Sequence, residues 1–259
     1  MGTLQGKKIL ITGGANGIGG AITLELAKQG ADIAVHWFQH RANQNTGQDL
    51  AVLREQANAF GVNMIDVNGD LTDEATVKQV VQEAVAGLGG LDILINNVGD
   101  ILGRHSLIDM EQAFFNRVMA VNVNTMMLVT REALPHLVQA NGAAIVNLAS
   151  LAGRKGGHGG SLAYSTAKGA VITFTRSLAS EVGPQGVRVN CVAPGLILGT
   201  YFHQTHTTDD SAQKTIAEIP LGRAGNPQDV AAGVAFLASQ YDGFITGVTL
   251  DINGGIYSA

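Results

Sequence analysis

Tyr164 and Lys168 stand four residues apart in the run AYSTAKGAVITFTRSL, where Ala167, Val171, Phe174 and Leu178 recur at helical spacing. A helix stacks the pair on one face, at the edge of its apolar stripe. A phenol normally ionises near pH ~10, and a cation within a few ångströms favours its phenolate. Tyr164 is therefore a candidate proton donor and acceptor near neutral pH, with Lys168 expected to lower its pKa. Ser150 ends the preceding apolar run IVNLAS and supplies a second hydroxyl to the same place, because ligands of open parallel sheets collect at the carboxyl ends of the strands.

For these three side chains to meet, Ile145–Leu178 must form a strand, a glycine-crowded loop and a helix. The same alternation runs through the chain. Strands are expected at Lys7–Thr12, Ala31–Phe38, Val62–Val67, Leu91–Ile95, Ala143–Leu148, Val187–Val192 and Val248–Asp251. Between them, helical patterns cover Gln44–Phe60, Asp73–Ala86, one long stretch from about Asp109 to Val138, and Pro227–Ser239, while Tyr201–Gln213 reads as a polar loop. Such βαβ repetition predicts an α/β protein with a mostly parallel sheet covered on both faces. No linker or repeat divides residues 1–259, so one doubly wound domain is expected, with a substrate loop at about 196–217.

The composition of 46% apolar and 14% charged residues is that of a globular chain. A net charge of −5 argues against nucleic acid, whose phosphates call for a basic surface. The single cysteine, Cys191, excludes an internal disulfide and sits in an apolar run as a structural thiol. With neither a secretory core nor an apolar stretch of ~20 residues, a cytoplasmic, non-membrane protein is expected. His203 and His206 lie in a polar loop without a third ligand, so no metal site is expected.

Gly13, Gly17 and Gly19 lie between the first strand and its helix, where glycines allow a pyrophosphate to approach a helix amino terminus. An NAD site usually places an acid at the end of the second strand. Here that end reads His36, Trp37, Phe38, Gln39, His40, Arg41, and Asp32 lies at the wrong end. Arg41 and the histidines suit a 2′-phosphate, so NADP(H) is preferred, with NAD(H) possible.

Together these motifs resemble the short-chain dehydrogenase/reductase family nearly end to end. TGGANGIG is similar to its cofactor turn, GDLTDE to its adenine-contacting segment, NNVG at Asn96–Gly99 to its NNAG motif, and VNVN to the segment bearing an active-site Asn, here Asn122. Ser150 and YSTAK match its catalytic Ser, Tyr and Lys, and VRVNCVAPG, LGRAGNPQDVA and ITGVTLDINGG its carboxyl-terminal signatures. The resemblance implies a Rossmann-type fold and a likeness to 3-oxoacyl and sugar-ketone reductases. It implies catalysis by Asn122, Ser150, Tyr164 and Lys168, with Asn122 holding a water that links Lys168 to solvent. Cofactor contacts are implied at Gly13, Asn16, Gly17, Ile18 and Gly19, and at Trp37, Phe38 and Arg41. Further contacts follow at Asp70, Leu71, Asn97, Gly99, Tyr164 and Lys168, and at Pro194, Gly195 and Ile197. The loop from Ser150 to Tyr164 is one residue longer than in the commonest members. The family's Thr after Pro-Gly is replaced by Gly199, with Thr200 beside it. A homotetramer is also implied.

The expected activity is reduction of a ketone or aldehyde, with NAD-dependent alcohol or sugar oxidation, 3-oxoacyl carrier-protein reduction and a non-catalytic dinucleotide sensor as alternatives. Arg104, His105, Arg154, Lys155 and His158 fall in the loops after the fourth and fifth strands, and His203 to Thr208 add polar groups. That charge predicts a small, polar, anionic substrate such as a keto acid, or an acyl group on an acidic carrier.

Overall fold

Seven short, largely apolar runs form parallel strands, and the helices that follow them cover both faces of the resulting sheet. A computed structural model of the chain describes residues 3–38, 46–239 and 243–258, without the side chains of 46–48 and 202–204. Arg41, on which the 2′-phosphate expectation leaned, and His40 lie outside these residues, as do the side chains of His203 and Gln204.

In chain order the elements are β1 (Lys8–Ile11), α1 (Gly17–Lys28), β2 (Asp32–Trp37), α2 (Thr46–Asn58), β3 (Met64–Asn68), α3 (Glu74–Leu88) and β4 (Ile93–Asn96). Then follow α4 (Gln112–Met119), a π-helical turn (Ala120–Asn124), α5 (Thr125–Leu137), β5 (Ala144–Leu148), α6 (Leu151–Lys155) and α7 (Leu162–Val182). The last are β6 (Arg188–Pro194), α8 (Tyr201–His206), α9 (Asp209–Glu218), α10 (Pro227–Ala238) and β7 (Thr249–Ile252).

The sheet order is β3-β2-β1-β4-β5-β6-β7, with every described pairing parallel. The direction of winding reverses between β1 and β4, which opens a crevice beyond their carboxyl ends. One apolar layer, including Ile9, Ile22, Leu26 and Val234, fills the α1/α10 side. Another, including Leu10, Val80, Leu94 and Val129, fills the α3/α5 side. β4 and β5 are buried along their whole length, as strands covered on both faces must be. No helix among the described residues is long and apolar enough to cross a membrane.

Three stretches differ from the sequence expectation. The long helix around Asn122 is broken by the π turn into α4 and α5. The polar loop at Tyr201–Gln213 is instead two helices, because Thr208 accepts a hydrogen bond from the Ser211 amide and caps α9. The glycine-rich loop after β5 begins with α6, capped by Ser150, whose Oγ accepts from the Ala152 amide at 3.1 Å.

Candidate active site

The floor of the crevice is built by hydrogen bonds between the glycine turn and the loop after β4. Thr12 Oγ1 accepts from the amides of Asn97 and Val98 at 2.9 and 3.2 Å. Asn97 Nδ2 donates to the carbonyls of Thr12 and Gly13 at 3.1 and 2.9 Å. A Cβ at Gly19 would lie 2.0 Å from the Gly13 oxygen, so the turn closes only with glycine there. Beneath the site a polar thread crosses the core: Asn96 Nδ2 donates to Asn147 Oδ1 at 2.9 Å, and Asn147 Nδ2 to Thr175 Oγ1 of α7 at 3.0 Å. These bonds fix α7 against β4 and β5, and α7 carries Tyr164 and Lys168.

The structure brings the four expected catalytic residues together. Tyr164 shares a side-chain hydrogen bond with Ser150, the longer loop between them being taken up by α6 and the turn that follows. Lys168 is 4% exposed; its Nζ donates to the Leu148 carbonyl at 2.8 Å and lies 5.7 Å from the centre of the Tyr164 ring. The wider π turn presents Asn122 inward, with Nδ2 donating to the carbonyls of Val118 and Asp100 at 2.9 and 2.7 Å. Its Oδ1 is buried without a hydrogen-bond partner among the described residues.

The electrostatics correct one expectation. Burial pushes the Tyr164 hydroxyl up to about 12, the Ser150 hydrogen bond opposing this and the Asp100 charge adding to it. Burial thus works against the phenolate that the Tyr164–Lys168 spacing was expected to favour. Burial likewise lowers Lys168 to about 8, while the charge of Asp100 works to raise it. Desolvation is the dominant cause for both because both groups are enclosed.

A cleft of ≈ 650 Å³ runs over these residues, lined by Gly13, Asn16, Gly17, Ile18 and Gly19, by Trp37 and Phe38, by Asn97 and Gly99, and by Pro194, Gly195 and Ile197. A second cavity of ≈ 480 Å³, sharing Gly13, Phe38 and Val98 with the first, is lined by Asp70 and Leu71. The described cofactor-site candidates thus line these two adjoining cavities. Trp37 Nε1 donates to Asp66 at 3.1 Å, and Asn16 donates to Asp49 of α2 at 3.3 Å. Neither acid stands at the end of β2. Thr200 is buried, donates to the Ile197 carbonyl at 3.3 Å and lines the cleft near Gly17.

Of the five cationic candidates for the substrate, Arg104, Lys155 and His158 line the cleft. Arg154 does not: it is ion-paired with Asp251 and lies over Tyr257, 5.3 Å from the ring centre. His105 instead packs on Phe114, with 4.3 Å between ring centres. Asp100 is a cleft residue that sequence reasoning missed, and His206 Nε2 of α8 comes within 3.8 Å of its Oδ1. Among the described residues no group of three or more His, Cys, Asp or Glu could hold a metal. Cys191 is buried, its thiol pushed up by burial and in contact with Thr249 at 3.2 Å.

Comparison with known proteins agrees with this geometry. The family model described as enoyl-(acyl carrier protein) reductase matches residues 13–257. The 3-oxoacyl-[acyl-carrier-protein] reductase FabG of Aquifex aeolicus is 36% identical, over 98% of each chain. The solved structure of NADH-dependent reductase A1-R′, responsible for alginate metabolism, superposes with a TM-score of 0.87 at 32% identity over 99% of each chain. The same reductase complexed with NAD gives 0.84, again at 32% identity, over 99% of this chain and 98% of that one. The chain belongs to the short-chain dehydrogenase/reductase family of oxidoreductases.

Proposed function

We propose that the protein is an NADP(H)-dependent reductase of a small polar ketone or aldehyde, with Tyr164 as proton donor. The observation that carries this reading is the geometry of the Tyr164 hydroxyl, hydrogen-bonded to Ser150 with the buried Lys168 Nζ 5.7 Å from its ring centre. When bound, the nicotinamide supplies hydride to the carbonyl carbon. Tyr164 gives its phenolic proton to the carbonyl oxygen, which Ser150 steadies by a hydrogen bond. Lys168 holds the ribose side of the cofactor and stabilises the phenolate that proton donation leaves. Asn122, with its unpartnered buried Oδ1, keeps a polar route to Lys168.

The absence of an acid at the described end of β2 supports NADP(H) over NAD(H). Arg104 and Lys155 at the cleft support a substrate with an anionic group, and α8 and α9 form its outer wall. A 3-oxoacyl group on an acidic carrier is the second reading, favoured by the same cationic rim and by the name of the Aquifex aeolicus relative. We also propose a homotetramer, consistent with Phe244 being 95% exposed and Val248 39% exposed.

A panel of keto acids, sugars, neutral ketones and a 3-oxoacyl thioester, assayed with NADPH and NADH separately, tests the reading. Turnover with a higher kcat/KM for NADPH supports it. Dinucleotide binding without turnover of any carbonyl would overturn it in favour of a sensor.

A further inference from the structure

His36 is 2% exposed near the carboxyl end of β2, and both nitrogens of its ring are engaged. The Gly13 amide donates to Nδ1 at 3.2 Å. Nε2 lies 2.9 Å from the Gly69 carbonyl. An amide N–H can only donate and a carbonyl can only accept, so Nδ1 must be bare and Nε2 must carry the proton. The backbone of the same residue takes the next amide, with Gly14 N donating to the His36 carbonyl at 2.9 Å. One residue therefore grips two consecutive amides of the glycine turn and, through its other nitrogen, the carbonyl that precedes Asp70 and Leu71.

We propose that His36 is a positioning residue for the dinucleotide, its neutral Nε2–H tautomer clamping the glycine turn to the Gly69–Leu71 segment and so setting the spacing between the two ends of the cofactor cleft. The inference rests on the glycine turn being the dinucleotide's seat. His36 acts from below rather than as a charge for the 2′-phosphate: its ring is spent on Gly13 and Gly69, and its role is the same for either cofactor. A leucine at this position would leave a partly buried donor on Gly13 and a partly buried acceptor on Gly69 without these partners, and the turn would relax to recover them.

The test is direct binding of NADPH and of NADH, followed by cofactor fluorescence, to wild type, His36→Leu and His36→Asn. An Asn amide oxygen stands near the place of Nδ1, so it keeps the acceptor for Gly13. His36→Leu is expected to weaken both dinucleotides about tenfold and by the same factor, and His36→Asn to recover most of the loss. With a turned-over carbonyl, the cofactor KM rises in His36→Leu while kcat is unchanged. A folded His36→Leu protein with wild-type affinity, or an Asn variant no better than Leu, would overturn the proposal. Should the variants not fold, the two-bond ¹⁵N–¹H correlations of the His36 ring in the wild type decide: a protonated Nε2 and bare Nδ1 are expected, and the opposite tautomer or a doubly protonated ring at neutral pH contradicts the clamp. A wild type that binds neither dinucleotide would overturn the cofactor reading itself, a failure distinct from that of His36.

Discussion

Arg154 and Asp251 form a two-point ion pair, Nε to Oδ1 at 3.1 Å and Nη2 to Oδ2 at 2.9 Å, with side chains only 12% and 19% exposed. The pair ties α6 to β7 and removes Arg154 from the substrate. Arg154→Ala is expected to cost about 3 kcal/mol of stability, since it strands a largely buried carboxylate. Arg104→Ala, at the cleft, is expected to raise the KM for a keto acid several-fold, leave that of its neutral amide unchanged and leave stability nearly intact. Urea melts beside KM values for acid and amide check both; unchanged KM for the acid in Arg104→Ala would remove the anionic subsite.

Gly99 faces the two inner members of the site. A Cβ there would lie 2.6 Å from Lys168 Nζ and 2.7 Å from Asn122 Oδ1. Gly99→Ala should displace the ammonium by a few tenths of an ångström or more and lower kcat by about 10- to 100-fold in a folded protein. Steady-state kinetics and circular dichroism of the variant give the answer.

Asp100 raises both Tyr164 and Lys168 through its charge. Tyr164 keeps its proton to about 12, so the alkaline fall of reductive kcat/KM is expected where Lys168 sheds its proton, near pH 8. Asp100→Asn removes a negative charge that holds that proton, and the alkaline limb should move to lower pH. A limb that moved upward or stayed in place would separate it from Lys168.

Lys168 is stabilised for chemistry at a cost to the fold. Its pKa of about 8 in the folded protein lies below the ~10.4 of an unfolded chain, so between these values the unfolded state binds more protons and stability rises with pH. Below pH 8 the cost of the buried charge is present in full. Lys168→Met should be inactive yet more stable at pH 7 by on the order of 1–3 kcal/mol, allowing for the hydrogen bond lost by Leu148, with the gain shrinking by pH 10. Thermal melts across that range test the sign.

Periodicity revealed the alternation of strands and helices because each strand is an apolar run and each covering helix has a buried stripe. It missed the π turn at Ala120–Asn124, where no proline or glycine marks the change and one extra residue per turn leaves the pattern of buried side chains almost intact. It also missed α9, whose mean hydropathy is low and whose start depends on the cap at Thr208. Tyr164 and Lys168 were legible from their spacing and Ser150 from its place at a strand end, while Asn122 was implied only by the family resemblance. The proton affinities of Tyr164 and Lys168 were not legible, because they depend on enclosure by β5, α4 and α7 rather than on the four-residue spacing. Charged residues in the loops were legible as a group, but which of them met an acid depended on β7, far along the chain.

Removal of one oxygen at Tyr164 reaches the proposed mechanism most directly. For Tyr164→Phe, reductive kcat with a turned-over ketone should fall by about 10²- to 10⁴-fold while the Kd for NADPH stays within about twofold, because the variant lacks only the transferable proton and its hydrogen bond to Ser150. Turnover within a few-fold of wild type, in a variant that still binds NADPH, would contradict proton donation by Tyr164.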